Sequence, residues 1–189
     1  MNNLLSKILV TSTLALVISG INAQEQSIEI DSNAIYFGVE KFESPTLVSE
    51  RPTSSQWYLR LAPGMCAYGD FIFHPPKILP SQDITADPGL HGKYDIYIGM
   101  RAVSQKTSAQ FKLTGMTDYY TIVLAGVEKH AGVEIPVAAD VVMDNKKLLL
   151  HATGQNAYIG YFKFVKSGEK QFTPSSMVSI KSAMPLKSN

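Results

Sequence analysis

Apolar and polar residues alternate with a period of two along most of the chain past residue 26, in short runs. The clearest is KYDIYIGMR at 93–101, with Tyr94, Ile96, Ile98 and Met100 on one side and Asp95, Tyr97, Gly99 and Arg101 on the other. Similar runs at 27–31, 34–40, 56–61, 70–74, 108–114, 119–125, 132–139, 147–152 and 157–165 are rich in Val, Ile, Tyr and Phe, and turn-forming residues separate them. Past the N-terminal leader, no window of ten or more residues sustains a helical apolar period. The pattern predicts an all-β protein of about ten short strands, a β-sandwich or jelly roll. Pro136 lacks the amide hydrogen that a ladder needs, so the run around it is expected at a sheet edge or a bulge.

Three segments fall outside this rhythm. Residues 1–23 carry one charge, Lys7, then an apolar run from Ile8 to Ile18 broken by Thr11, Ser12 and Thr13, then small residues up to Ala23. That is the layout of a signal peptide, too short in its apolar part to span a membrane, with cleavage expected near Ala23. The protein is therefore expected to be secreted or periplasmic. Residues 62–92 hold Pro63, Pro75, Pro76, Pro80 and Pro88, and read as a long connection around one short strand, a functional loop or a poorly ordered one. Beyond Lys166 the composition shifts to Ser, Lys, Pro and Met, which reads as a flexible tail or linker over 167–189. The sandwich domain is thus expected over 24–166.

Without Lys7, 16 basic residues face 16 acidic ones, so the mature chain has no general attraction for nucleic acid or for an anionic membrane. The single cysteine, Cys66, cannot form an internal disulfide, and reads as a small buried apolar residue. His74, His91, His130 and His151 are scattered, with no spacing that brings two onto one metal. The Ser-x-x-Lys match at 167–170 lies in a polar segment without the companion motifs of a serine enzyme. Among the carboxylates, Asp83, Asp87, Asp118, Glu128, Glu134, Asp140 and Asp144 are candidates for a glycosidase pair, and most read as turn formers. Asp95 stands apart, in mid-strand beside Tyr97 and Arg101, where a cross-strand ion pair is the plain alternative to a site. Trp57 alternates with Leu59 and Leu61 and belongs on a core face, whereas Tyr119 and Tyr120 follow GMTD and are expected near a loop edge. Flat tyrosine faces with nearby Asp and Arg are the equipment of sugar binding.

From Asp83 onward, DITADPGLHGKYDIYIGMR, AQFKLTG, YYTIVLAG, VEIPVAADVVMDNKKLLLHATGQ and NAYIGYFKFV follow in an order that resembles galactose-binding-like β-sandwiches of exported bacterial proteins acting on polysaccharides. The resemblance implies a jelly roll that binds a glycan or polysaccharide, or that docks beside an adjacent catalytic domain or protein, and that is not itself catalytic. Family members often bind calcium with acidic residues on the first strand and an Asp on the last. Here Glu29 and Asp31 answer the first requirement, but Gly160 stands where that Asp would be, so no cofactor is expected. The ligand-binding residues expected are Asp95, Tyr97 and Arg101 on an outer sheet face, with Tyr119 and Tyr120 at a loop edge. The tripeptide Tyr-Ile-Gly occurs twice, and its glycines read differently. Gly99 is expected to leave a ligand-sized notch between Tyr97 and Arg101, and Gly160 to make room in the core among Tyr158, Phe162 and Phe164. The competing classes are a small secreted hydrolase or lyase acting on glycans, and a structural or adhesive envelope protein without a small ligand.

Overall fold

The computed structural model describes residues 30–43, 46–47, 56–63, 66, 68–74, 83–102, 107–128, 130–152, 158–168 and 172–181. Within them run twelve strands: β1 (Ala34–Gly38), β2 (Thr46–Leu47), β3 (Tyr58–Leu61), β4 (Phe71–His74), β5 (Ile84–Ala86), β6 (Lys93–Arg101), β7 (Thr107–Leu113), β8 (Tyr119–Leu124), β9 (Gly132–Val142), β10 (Leu148–His151), β11 (Tyr158–Lys166) and β12 (Val178–Lys181). A single 3-10 turn, Val39–Lys41, follows β1. The strands form two sheets packed as a β-sandwich, as the alternation predicts. The seven-stranded sheet runs β2-β3-β4-β11-β6-β9, with β1 also paired to β11, and the five-stranded sheet runs β12-β8-β7-β10-β5. All pairings are antiparallel except β2 with β3.

Alternation decides which face of each strand meets the other sheet. Ile96, Ile98 and Met100 of β6, Phe162 and Phe164 of β11, Phe111 and Leu113 of β7, Ile122 and Leu124 of β8, and Leu148 and Leu150 of β10 point inward and are essentially inaccessible. Phe162 packs edge-on against Phe111, with ring centroids 5.0 Å apart, and so joins the two sheets at their centre. Each such side chain contributes about 1.5–3 kcal/mol of transfer free energy. Trp57 is in this core, edge-on to Phe73. Pro136 lies on β9, at the edge of the seven-stranded sheet and opposite Tyr97, beside a break in the β6–β9 register. Edge and bulge occur together there.

Four departures from expectation have local causes. Residues 30 and 31 are not strand, and the rest of the run 27–31 lies outside the described residues. The short strands β2 and β5 carry too few residues for a period to register. β5 and β4 both lie within the proline-rich stretch 62–92, of which 64, 65, 67 and 75–82 fall outside the described residues. The segment read as a tail contains β12, which pairs with β8 from Val178↔Ile122 to Lys181↔Tyr119. Its approach is anchored where the Ser175 amide donates to the Pro136 carbonyl at 3.0 Å.

Candidate functional site

Each sheet also has an outer face, and the two differ in chemistry. On the seven-stranded sheet, Tyr36, Ala62, Cys66, Ile72 and Tyr161 form a second buried cluster, with Tyr68 and Tyr158 against it. Tyr68 stacks on Tyr36 at 4.6 Å and meets Tyr161 edge-on at 5.9 Å. Several polar groups beside this layer are paired within the protein. Lys163 Nζ donates to Glu134 Oε1 at 2.8 Å, the Tyr161 hydroxyl donates to Glu134 Oε2 at 2.9 Å, and the Asp31 amide donates to the Tyr36 hydroxyl at 2.9 Å. The Lys163 ammonium also lies over the Tyr97 ring, 4.9 Å from its centroid. Burial alone would lower the Lys163 pKa, but the bond to Glu134 and the surrounding negative charge outweigh it and hold the amine above its ordinary value. Tyr161 is pushed far up by burial first and then by the Glu134 charge.

Both glycines of the repeated tripeptide serve this cluster. A Cβ on Gly99 would run into the Tyr161 ring, and one on Gly160 would run into Cys66 Sγ. The notch expected at Gly99 is therefore filled by Tyr161. Gly160 makes its room on the outer face, because the β11 register against β6 shifts between Ile159 and Tyr161 and turns the position away from the core. Cys66 is buried and its thiol is pushed up to about 11 by that burial, with Arg101 opposing, so it stays protonated and unreactive.

The outer face of the five-stranded sheet carries a polar row across the strands. Registers set Gln110 of β7 opposite His151 of β10 and Thr121 of β8, and Thr121 opposite Ser179 of β12. Asp83, just before β5, completes the row beside His151. His151 Nδ1 and Asp83 Oδ1 are hydrogen-bonded at 2.7 Å, and the Tyr119 hydroxyl donates to Asp83 Oδ2 at 2.7 Å. A carboxylate only accepts, so the imidazole carries a proton on Nδ1, and in the neutral ring Nε2 is then an acceptor. Burial would raise the Asp83 pKa, but the hydrogen bonds from His151 and Tyr119 and the charges of His151 and Lys112 hold it below the ordinary carboxylate value. Tyr119 is pushed up to about 12 by burial, by its bond to Asp83 and by that residue's charge. Its ring is already engaged, with His151 at 5.0 Å and the Lys112 ammonium 4.5 Å from its centroid.

In the middle of the row, Gln110 Nε2 donates to Thr121 Oγ1 at 3.0 Å, while Gln110 Oε1 is buried and accepts nothing. Gln110 itself is 1% exposed, and a buried acceptor left unpaired costs on the order of 1–3 kcal/mol. Among the described residues, Gln110 Oε1 is thus an unused buried acceptor on this face, and a neutral His151 with its proton on Nδ1 presents Nε2 as an acceptor on the directly opposed residue. The side chains of His151 and Asp83 keep 14% and 26% of their surface, which makes them the accessible end of the row. Such a site takes ligand groups that donate hydrogen bonds.

The five residues expected to bind ligand do not come together. Asp95, Tyr97 and Arg101 lie on the outer face of β6 in one sheet, whereas Tyr119 and Tyr120 lie on β8 in the other. Asp95 is buried and makes no ion pair with Arg101. Its Oδ1 accepts from the Asp140 amide at 3.0 Å and the Ser167 hydroxyl at 2.9 Å, which pins the β9 irregularity where Asp140 has a φ of 54°. Tyr97 is edge-on to Phe172, and Arg101 holds its Nε buried without a partner. Tyr120 points inward against Phe111, because alternation along β8 turns it opposite to Tyr119. Only Tyr119 belongs to the polar row, and it acts there through its hydroxyl.

Asp83, His151, Gln110 and Thr121 were missed as a group. Each is a polar residue at an outward strand position, which is visible in the alternation, but the order β5-β10-β7-β8 that joins them is not local. Of the other histidines, His91 is exposed and 3.5 Å from Asp144, and His130 occupies a turn with a φ of 72°. Among the described residues no three His, Cys, Asp or Glu side chains are grouped to hold a metal ion, and no described helix is long and apolar enough to cross a membrane.

Fold and site together define a β-sandwich with one outer face covered by tyrosine rings, where Arg101 Nε alone among the polar atoms named above lacks a partner, and one outer face whose polar row leaves the acceptor Gln110 Oε1 unpaired. No protein-family model matches this chain, and no curated protein matches it.

Proposed function

We propose that the protein is an exported, non-catalytic carbohydrate-binding or accessory module of galactose-binding-like topology, and that its glycan lies on the outer face of the five-stranded sheet. One observation carries this reading: the buried, unpaired Gln110 Oε1 beside His151 and Asp83. A sugar hydroxyl is a neutral donor that satisfies such an acceptor without bringing in a charge, and several hydroxyls along a chain match a row that crosses a sheet. Because both the Lys112 ammonium and the His151 ring engage Tyr119, the ligand is read by hydrogen bonds more than by ring stacking. Modules of this kind work beside a polysaccharide-degrading domain or protein, which is the partner proposed here. The signal-peptide layout of residues 1–23 supports a secreted or periplasmic location.

Affinity electrophoresis against a panel of soluble neutral and acidic polysaccharides tests the reading. At least one is expected to retard the protein, and Asp83→Ala is expected to remove that retardation while leaving a cooperative melt. Retardation by none overturns the proposal. Release of reducing ends or of unsaturated products during incubation would assign the protein to the enzymes instead.

A further inference from the structure

The polar row has one member whose hydrogen-bonding sense reverses with pH. His151 donates from Nδ1 to Asp83 and offers Nε2 as an acceptor, and Gln110 Oε1 on the directly opposed residue is a second acceptor. Two neighbouring acceptors cannot satisfy each other, so while the imidazole is neutral this part of the face needs donors from outside the protein.

We propose that His151 is an acid-operated release switch for the ligand site on this face. The inference rests on the glycan-binding reading above and deepens it. Protonation places a hydrogen on Nε2, and both ring nitrogens then donate. Nδ1 keeps Asp83, and Nε2–H turns to Gln110 Oε1. Directly opposed side chains on antiparallel strands have Cβ atoms about 4.5–5.5 Å apart, within reach of an imidazole and a carboxamide. The nitrogen of the same carboxamide is held by Thr121 on β8, and β10 with His151 lies on the other flank of β7. One added proton therefore closes the row on itself and removes both acceptors from the ligand.

The charges around the ring suit this step. From β5, Asp83 is in contact with the imidazole and stays ionised, so the imidazolium has a counter-charge 2.7 Å away. From β8, the Tyr119 hydroxyl remains protonated throughout and holds the second Asp83 oxygen. From β7, the Lys112 ammonium lies over the Tyr119 ring, and from β12 Lys181 is the residue directly opposite Tyr119. Protonation thus adds one positive charge to a set that already holds Asp83, Lys112 and Lys181. The change is felt on this face alone, because Lys163 and Glu134 lie on the outer side of the other sheet.

The test is affinity electrophoresis of the full chain in the polysaccharide that retards it, repeated at steps between about pH 8 and pH 5, the range in which histidine changes charge. Apparent affinity is expected to fall about tenfold toward acid, as for the loss of two ordinary hydrogen bonds, with a midpoint that tracks the His151 ring titration seen by NMR. His151→Gln, which cannot be protonated and gives up one of the two acceptors, is expected to bind more weakly at about pH 8 and with no such pH dependence. Retardation that stays level while His151 titrates overturns the switch and leaves the glycan reading standing. If no polysaccharide retards the protein at any pH, the glycan reading fails, and the NMR titration judges the switch by itself. The side-chain amide resonances of Gln110 are expected to move in step with the His151 ring, and amide resonances that do not move overturn it.

Discussion

The two outer faces of this sandwich are built on the same alternation, and they end in opposite chemical states. On the seven-stranded sheet, tyrosine rings cover one another and Lys163, Glu134 and Tyr161 bond among themselves, so the face is a second, smaller core. On the five-stranded sheet, Asp83, His151 and Tyr119 are bonded, but the row stops at Gln110 Oε1 with an acceptor unused. A polar network that closes on itself stabilises a fold, whereas one left open in a buried position costs stability and points to a missing partner. The contrast therefore predicts that substitutions on the first face lower stability and that substitutions on the second lower binding.

The largest effect that can break the contrast is on the closed face. Tyr161 is inaccessible, and Tyr161→Ala is expected to cost about 3–5 kcal/mol, read as a lowered chemical-denaturation midpoint. Gly99→Ala drives a methyl group into the Tyr161 ring and is expected to cost about 1–3 kcal/mol by the same measurement. A Gly99→Ala protein as stable as the wild type would mean that the ring does not lie over Gly99, and the closed-face account would fail.

A smaller effect sharpens the second face through pH. The carboxyl of Asp83 is held below its ordinary value, so the unfolded chain binds its proton first as pH falls. Its stabilising contribution is present above the ordinary carboxylate pKa of about 3.9 and is lost as pH drops through the lower folded value. Asp83→Asn is expected to flatten that part of the stability-versus-pH curve. Urea denaturation at steps between about pH 5 and pH 2 reads the difference, and identical acid slopes for the two proteins would remove Asp83 from the network.

Much of the fold was legible in the chain, and much less of the site. The run KYDIYIGMR became β6 with its expected bounds, and Pro136 marked an edge and a register break, because side-chain period and the proline ring act locally. The strands β2 and β5 were not legible, since two or three residues cannot display a period, and β12 lay hidden in a segment whose Ser, Lys and Pro content reads as a tail. The candidate site failed for a related reason. Asp95 looked exposed by alternation, but the β9 irregularity folds the Asp140 amide onto it, and nothing near Asp95 in sequence announces that contact. In the row through Asp83, His151, Gln110 and Thr121, Asp83 and Thr121 are 38 positions apart and His151 lies further on still, so strand pairing alone assembles it.

The most direct measurement uses Gln110→Leu, with melting and polysaccharide retardation recorded on the same sample. Leucine removes the unpaired oxygen at similar volume, so stability is expected to change by about 1 kcal/mol in either direction, a few degrees in melting temperature. Retardation is expected to disappear. A Gln110→Leu protein that melts normally and is still retarded like the wild type would contradict the claim that the open polar face of the five-stranded sheet is where this protein binds its ligand.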